Sequence, residues 1–472
     1  MRSRSARAVV VLAVVGLAAA VFSVPSGASV SAGQAPQGIT KKAIDIVIIV
    51  PDIDALRAQG INVSNQSTAD FTDRLAGYVD AYGPINGRKV NLIQVGWDPI
   101  DPTSFDRVCT EATQDNKPFL VINGSGYQTS SIGCISVDND TPFISGDMGY
   151  TDLFKASGKN LLTVGLPAEV SATGAVELIQ ETSAVPETAK IGIISSNIPG
   201  LKATGDTLES ALTKSGFDVV SKIEVNGLAA DSGLVNRELT AAVATFQADD
   251  VDTVFNIQSF TQVAAFFDEA ANVGANFTSF AIDGQANTCT PFSVTRVTAA
   301  AEGTTCITSW DPRALPTKDG VKVDNDLEAK CRKQFDEFTG KEHRIGGASG
   351  PQEIGGVNYP GDLAPNECTI ASFLLPALEK AGKNITWDKV YKALLATKKG
   401  PAAYLSQGEG GFGKKKLYYS GLEMHFTTVS VANADTPEDA NGLFNGCSIP
   451  APCWIPQLID GQEWFPISGK AK

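Results

Sequence analysis

Residues able to do chemistry are few in this chain. It has two histidines, His343 and His425, and histidine is the commonest general base. His343 lies in the charge run Lys341-Glu342-His343-Arg344, and His425 lies in a strand pattern. Neither belongs to a metal-spaced cluster such as His-Glu-x-x-His, so no metal and no cofactor is expected. No G-x-S-x-G elbow occurs; Gly347-Ala348-Ser349-Gly350 continues into Pro351 and fails the pattern. A secreted Ser/His/Asp hydrolase stays open because triads assemble in space, and a glycosidase stays open because its carboxylates cannot be placed from sequence. The run Gly408-Glu409-Gly410-Gly411-Phe412-Gly413 has dinucleotide-fingerprint spacing. That motif needs a helix directly after the glycines to receive a phosphate. Here Lys414-Lys415-Lys416 leads into Leu417-Tyr418-Tyr419 and Met424-His425-Phe426, a strand pattern, so the run reads as a turn. The expected chemistry is non-covalent.

Eight cysteines stand at Cys109, Cys134, Cys289, Cys306, Cys331, Cys368, Cys447 and Cys453. An even count in an exported chain reads as disulfides, and zinc sites use closer spacings. Sequential pairing (109–134, 289–306, 331–368, 447–453) is the simplest arrangement, although the count does not fix connectivity. Export is read from the start of the chain. Arg2, Arg4 and Arg7 precede an apolar core over Ala8 to Phe22, then Pro25 and Gly27, with a small-residue cleavage site at Val30-Ser31-Ala32 or Ser26-Gly27-Ala28. This is the layout of a signal peptide over residues 1–32. A spanning helix needs about 20 apolar residues, and no later segment reaches that. No cysteine stands near the cleavage site, which argues against a lipid anchor. The protein is expected to be secreted or periplasmic, with a flexible leader over 33–42 and no membrane anchor. The net charge of −14 argues against nucleic acid, whose phosphates call for Lys/Arg patches.

The elements that must position any site alternate in type. Ile44 to Pro51 is an apolar strand, and Phe71, Leu75, Tyr78 and Val79 recur at helical spacing. Gly83-Pro84-Ile85-Asn86-Gly87-Arg88-Lys89-Val90 enters a second strand, an Asp-Pro pair and a helix over 104–114 follow, and Val121-Ile122-Asn123-Gly124-Ser125-Gly126 closes the unit. Strands alternating with amphipathic helices predict βαβ units and a parallel sheet. A second series repeats the layout. Strands are predicted over 189–195, 217–225, 253–257 and 277–282, with helices over 202–215, 232–248 and 261–273. Helices are also expected over 326–338, 368–381 and 387–397.

The order of these pieces resembles the type I periplasmic solute-binding proteins of ABC importers, most closely the branched-chain amino-acid-binding (Leu/Ile/Val-binding) group. The resemblance covers most of the chain after residue 42. It implies an α/β fold of two Rossmann-like lobes with parallel sheets, joined by three crossings near 165, 286 and 398. Lobe 1 would comprise 43–165 and 286–398, and lobe 2 would comprise 166–285 and 399–472. It implies a monomer that captures a small polar solute by hinge closure and delivers it to ABC permease subunits. An extracellular sensor without a transport role remains an alternative.

In parallel sheets, solutes bind beyond the carboxyl ends of the strands. Ser125, Tyr127 and Thr129 follow one such end, although Asn-Gly-Ser-Gly is also plain turn composition. The resemblance implies that hydroxyl and backbone groups here, Ser125 first, hold a carboxylate of the solute. Asp147, Met148 and Tyr150 correspond to the next contact of that lobe. On the second lobe the candidates are Asn197, Asn256, Gln258, Asp283 and Gln285. The resemblance gives Asp283 the solute's ammonium; otherwise it is an Asx turn before Gly284. Asn256 and Gln258 stand where the family commonly carries an aromatic, which points to a more polar solute than a branched-chain amino acid.

Overall fold

Ile44, Ile46, Ile48 and Val50 point to one face of β1 (Ala43–Pro51), while Val47 and Ile49 point to the other; all six are buried. A strand apolar on both sides must sit inside a sheet with both faces covered. In the computed structural model it does. The structure describes residues 36–58, 67–98, 101, 103–124, 127, 131–226, 232–283, 289, 299–310, 326–340, 352–354, 357–359, 366–403, 405, 408–431 and 453–470. The expected signal peptide lies outside them.

The first sheet runs β2-β1-β3-β4-β5, with β2 (Lys89–Trp97), β3 (Leu120–Asn123), β4 (Phe143–Ser145) and β5 (Leu161–Thr163) all parallel to β1 or its neighbours. One face packs on helix Thr68–Tyr82 through Phe71, Leu75 and Tyr78. That helix starts at a capping box, in which Ser67 and Asp70 each accept the other's backbone N–H. Helices Asp326–Thr339, Asn366–Lys380 and Trp387–Leu395 return to the same face through Leu327, Phe373, Leu374 and Val390. The other face packs on helix Ser104–Thr110 and its neighbours through Phe105, Val108 and Ile135. Residues 36–42, expected as part of a flexible leader, instead pack on this lobe. Ile39 is buried in its core, and the Asp45 amide donates to Gly38 O at 2.8 Å.

The second sheet is built on β6 (Lys190–Ser196), β7 (Asp218–Val225), β8 (Thr253–Ile257), β9 (Thr278–Asp283) and β10 (Thr305–Thr308), which are parallel. Two short hairpins follow, β11 (Gln352–Ile354) with β12 (Val357–Tyr359), and β13 (Gly400–Pro401) with β14 (Glu409–Gly410). Then β15 (Glu423–Ser430) adds antiparallel to β10, β16 (Cys453–Pro456) adds antiparallel to β15, and β17 (Phe465–Pro466) also pairs with β15. The order is β16-β15-β10-β9-β8-β6-β7, so this sheet is mixed, with an antiparallel extension on a parallel core.

Three crossings join the lobes. The first lies at 164–167, between β5 and helix Ala168–Thr182. The second follows β10, because Ile307 belongs to a second-lobe core and Trp310 to a first-lobe core. Pairing of β10 with β9 therefore keeps the chain in lobe 2 beyond the crossing expected near 286. The third follows Tyr419, a first-lobe core residue, and precedes Met424, a second-lobe one, so the segment expected to leave lobe 1 near 398 stays there to about 420. Crossing strands bond one another: the Thr163 amide donates to Leu417 O at 3.0 Å and the Ser420 amide to Val164 O at 2.8 Å. The glycine-rich run serves this hinge. A Cβ on Gly411 would lie 2.1 Å from Lys398 O, so only glycine admits the approach. A turn and β15 follow the run, not a helix, so the phosphate-receiving terminus is missing.

Three sequential disulfides form: Cys109–Cys134, Cys289–Cys306 and Cys331–Cys368. Cys447 lies outside the described residues, and with it the fourth pairing.

Candidate ligand-binding cleft

Both sheets turn their carboxyl ends toward the crossings, and polar side chains are buried at these ends. In lobe 1, Asn123 ends β3 and donates from Nδ2 to Asp147 Oδ2 at 2.8 Å, just beyond β4. The Asp147 amide donates to Ser145 Oγ at 3.1 Å. Asn366 and Glu367, opening helix Asn366–Lys380, come in from the returning part of the chain. Asn366 Nδ2 donates to Gly146 O at 3.2 Å. Glu367 pairs with Arg74 at 3.8 Å, with both side chains 2% exposed. The Arg74 guanidinium also lies 5.5 Å from the centre of the Phe335 ring.

In lobe 2 the register places polar residues side by side. Asn256 pairs with Ala281, so Gln258, just past the end of β8, and Asp283, the last residue of β9, each follow two residues later. Asp283 pairs with Thr308, and Thr308 with His425. All five polar residues, Asn256, Gln258, Asp283, Thr308 and His425, are buried. Asp283 Oδ2 accepts the Cys289 amide at 3.2 Å. His425 Nε2 bonds Trp310 O at the second crossing, its Nδ1 lies 3.5 Å from Glu463 Oε1, and its ring stacks on Trp464 at 3.9 Å.

The sequence candidates thus divide. Ser125, Thr129 and Gln285 lie outside the described residues. Asp147, Gln258 and Asp283 are brought to the buried strand ends. Asn256 lies one level deeper, and neither of its amide atoms has a hydrogen-bond partner. Asn197 is exposed, and its amide donates to Val225 O at 2.9 Å. Tyr127 takes a packing place: it is fully buried between Trp97 and Phe105, and its hydroxyl donates to Phe105 O at 3.3 Å. Met148 crosses between lobes. Its sulfur accepts from Thr204 Oγ1 at 3.9 Å, and its Cε would lie 3.1 Å from a Cβ on Gly200, both in the second-lobe helix Pro199–Lys214. Tyr150 is half-buried, and burial, with Asp152 and Glu169 nearby, pushes its phenol up.

Sequence reasoning passed over Asn123, Arg74, Asn366, Glu367 and Thr308. Arg74 left a trace, since a charged residue stands within the helical stripe of Phe71, Leu75 and Tyr78.

Comparison with known proteins fits this geometry. A family model described as "Periplasmic binding protein" matches residues 63–414, most of the chain. The chain belongs to the periplasmic binding protein family. Solved structures similar to it share the fold at low identity. A fatty acid ABC transporter substrate-binding protein from Thermomonospora curvata has a TM-score of 0.62 at 15% identity, covering 92% of this chain and 95% of that one. A branched chain amino acid ABC transporter from Thermus thermophilus with bound valine has a TM-score of 0.61 at 16% identity, covering 91% and 98%. A solute binding protein from Rhodopseudomonas palustris BisB5, in complex with 3,4-dihydroxy benzoic acid, has a TM-score of 0.60 at 12% identity, covering 90% and 98%. No curated protein matches by sequence. The three crossings are the hinge, and the buried strand ends of both sheets lie beside it. Among the described residues no helix is long and apolar enough to cross a membrane.

Proposed function

We propose that this chain is an extracytoplasmic solute-binding protein, exported by its signal peptide. It would capture one small polar solute, an amino acid or related compound, between the lobes and present it to the permease subunits of an ABC importer. The observation that carries this reading is that each lobe buries polar side chains at the carboxyl ends of its strands beside one hinge, Asn123 and Asp147 in the first and Gln258 and Asp283 in the second. Neither set is arranged for covalent chemistry, and His425 is occupied by Trp310 O. A ligand that touches both lobes stabilises the closed state because it bonds to both walls only there. The similar proteins differ in solute, with a fatty acid transporter protein, one with bound valine and one in complex with 3,4-dihydroxy benzoic acid, which supports a broad solute class. Asp147, Gln258 and Asp283 would contribute the polar contacts.

The test is mass spectrometry of small molecules that copurify with the secreted protein, followed by titration calorimetry of each one found. A polar solute that binds with one-to-one stoichiometry and lowers the radius of gyration in solution scattering supports the proposal. Turnover of that solute would defeat it.

A further inference from the structure

Four consecutive residues of lobe 1, just beyond Asp147, each meet lobe 2. Met148 packs on helix Pro199–Lys214 and accepts from Thr204 Oγ1 at 3.9 Å. Gly149 O accepts the Ala168 amide at 2.9 Å. Tyr150 packs against a core of each lobe. The Thr151 amide donates to Glu169 Oε1 at 2.8 Å.

The two backbone amides make a reciprocal pair. Thr151 opens helix Thr151–Ser157 of lobe 1, and Ala168 opens helix Ala168–Thr182 of lobe 2. The first amides of a helix have no partner within it, and an N-cap side chain commonly supplies one. Here the N-cap residues are Tyr150 and Pro167, and neither caps through its side chain. Each helix instead has its first amide met by the opposite lobe. Lobe 1 offers a backbone carbonyl, and lobe 2 offers a carboxylate. Glu169 is held well for this task, because it stands in the first turn of its own 15-residue helix, where negative charge is favoured. Gly149 is suited to the other half: a Cβ there would lie 2.6 Å from the Phe154 ring, so a larger residue would push the turn off its helix.

We propose that residues 149–151 and 168–169 form an interlobe latch in which Glu169 is a positioning residue. It holds the loop after β4 against lobe 2 and so favours the closed form before any solute arrives. This goes beyond solute capture and requires no contact between Glu169 and a solute. Both bonds lie beside the first crossing, so a rotation that parts Gly149 from Ala168 also parts Thr151 from Glu169, and the two break together. Apparent affinity for a solute rises with the fraction of protein already in the competent form, so the latch would tune capture from outside the cleft.

The experiment uses the full secreted chain, freed of copurifying solute. Two variants remove the bond from opposite sides. Glu169→Ala takes away the acceptor. Thr151→Pro takes away the donor at the first helical position, which proline suits, after a Tyr150 whose extended backbone (φ −139°, ψ 159°) proline accepts. The readouts are the radius of gyration in solution scattering and hydrogen exchange resolved to the Ala168 amide. Both variants are expected to raise the radius and to speed Ala168 exchange about tenfold or more, although Ala168 and its acceptor are untouched. Glu169→Gln keeps an acceptor oxygen and is expected to stay near wild type. Should one of the two variants fold poorly, the other decides. An unchanged radius, or Ala168 exchange at the wild-type rate, would overturn the proposal and leave Glu169 a local cap. A loss in Glu169→Gln equal to that in Glu169→Ala would overturn it too. Every readout is taken without solute, so its failure leaves the cleft reading standing, and that reading fails only by its own copurification test.

Discussion

Arg74 and Glu367 are 293 positions apart in the chain, yet each is shielded from water by the same helices. A buried pair is judged by what happens when one member goes. Removing one partner leaves an uncompensated charge and costs about 3–5 kcal/mol. Replacing both with apolar or neutral groups of similar size is often near neutral. Arg74→Met alone is therefore expected to lower unfolding stability by about 3–5 kcal/mol, and the double variant with Glu367→Gln to recover most of it, read by urea denaturation. Equal losses in the single and double variants would show that the pair acts through packing on Phe335 instead. Asp283 gives a second case. Its carboxylate holds the Cys289 amide, a charge-assisted hydrogen bond, so Asp283→Ala should cost roughly 1.5–3 kcal/mol of stability even without ligand. A thermal melt of the ligand-free protein decides that, and an unchanged midpoint would remove the structural part of its role. At this scale the sequence made a strand-end position legible, as for Asp147 just beyond β4 and Asp283 at the end of β9. Glu367 was not legible, because nothing local marks a partner that only the returning chain supplies.

Secondary elements were the most readable level, and the hinge shows why they were not wholly so. Helix Ser232–Ala248 and strand β8 fall where periodicity puts them. Strand β10 was passed over. Thr305, Cys306, Ile307 and Thr308 form a strand with one strongly apolar side chain, too weak a pattern to see without its neighbours, and missing it misplaced the second crossing. At the third crossing, Lys416 Nζ donates to Gly411 O and to Ser420 O, both at 2.6 Å, tying the glycine-rich turn to the crossing strand. Burial pushes this ammonium down to about 8. In the unfolded chain a lysine titrates near 10.4. Between about 8 and 10.4 the unfolded state then holds more protons than the folded one, so stability rises with pH across that window. Below the window both states are charged and the burial penalty is fully present. Relative to Lys416→Met, the wild type should gain on the order of 1–2 kcal/mol between pH 7.5 and pH 9.5, measured by chemical denaturation at each pH. A flat difference would show that the carbonyl contacts offset the burial.

For the whole molecule, the interlobe contact of Met148 bears on the balance between open and closed forms. The side chain is anchored in one lobe and packs on helix Pro199–Lys214 of the other. Truncating a buried methionine costs about 2 kcal/mol or more. The prediction is that this loss falls on the closed form alone. Such a change is enough to shift an equilibrium whose states differ by a few kcal/mol. Met148→Ala should raise the radius of gyration of the ligand-free protein in solution scattering, with the melting midpoint little changed. An unaltered scattering profile would mean that this contact persists in both forms. The two-lobed plan itself was readable because each lobe repeats the same strand–helix order. The antiparallel extension, β15 to β17, was not, because it joins segments from the far end of the chain to the edge at β10.

The packing of residues 36–42 also bears on how this protein can be handled. They lie beside the first residues of β1, and nine strand residues separate them from the cleft side. At about 3.3 Å per residue, that is roughly 30 Å of rigid strand. A surface linker or a fluorescent reporter attached at Pro36 would therefore sit behind lobe 1, leaving the mouth and the swing of the other lobe unobstructed. Immobilised in that orientation, the molecule would serve directly as the recognition element of a biosensor for its own solute.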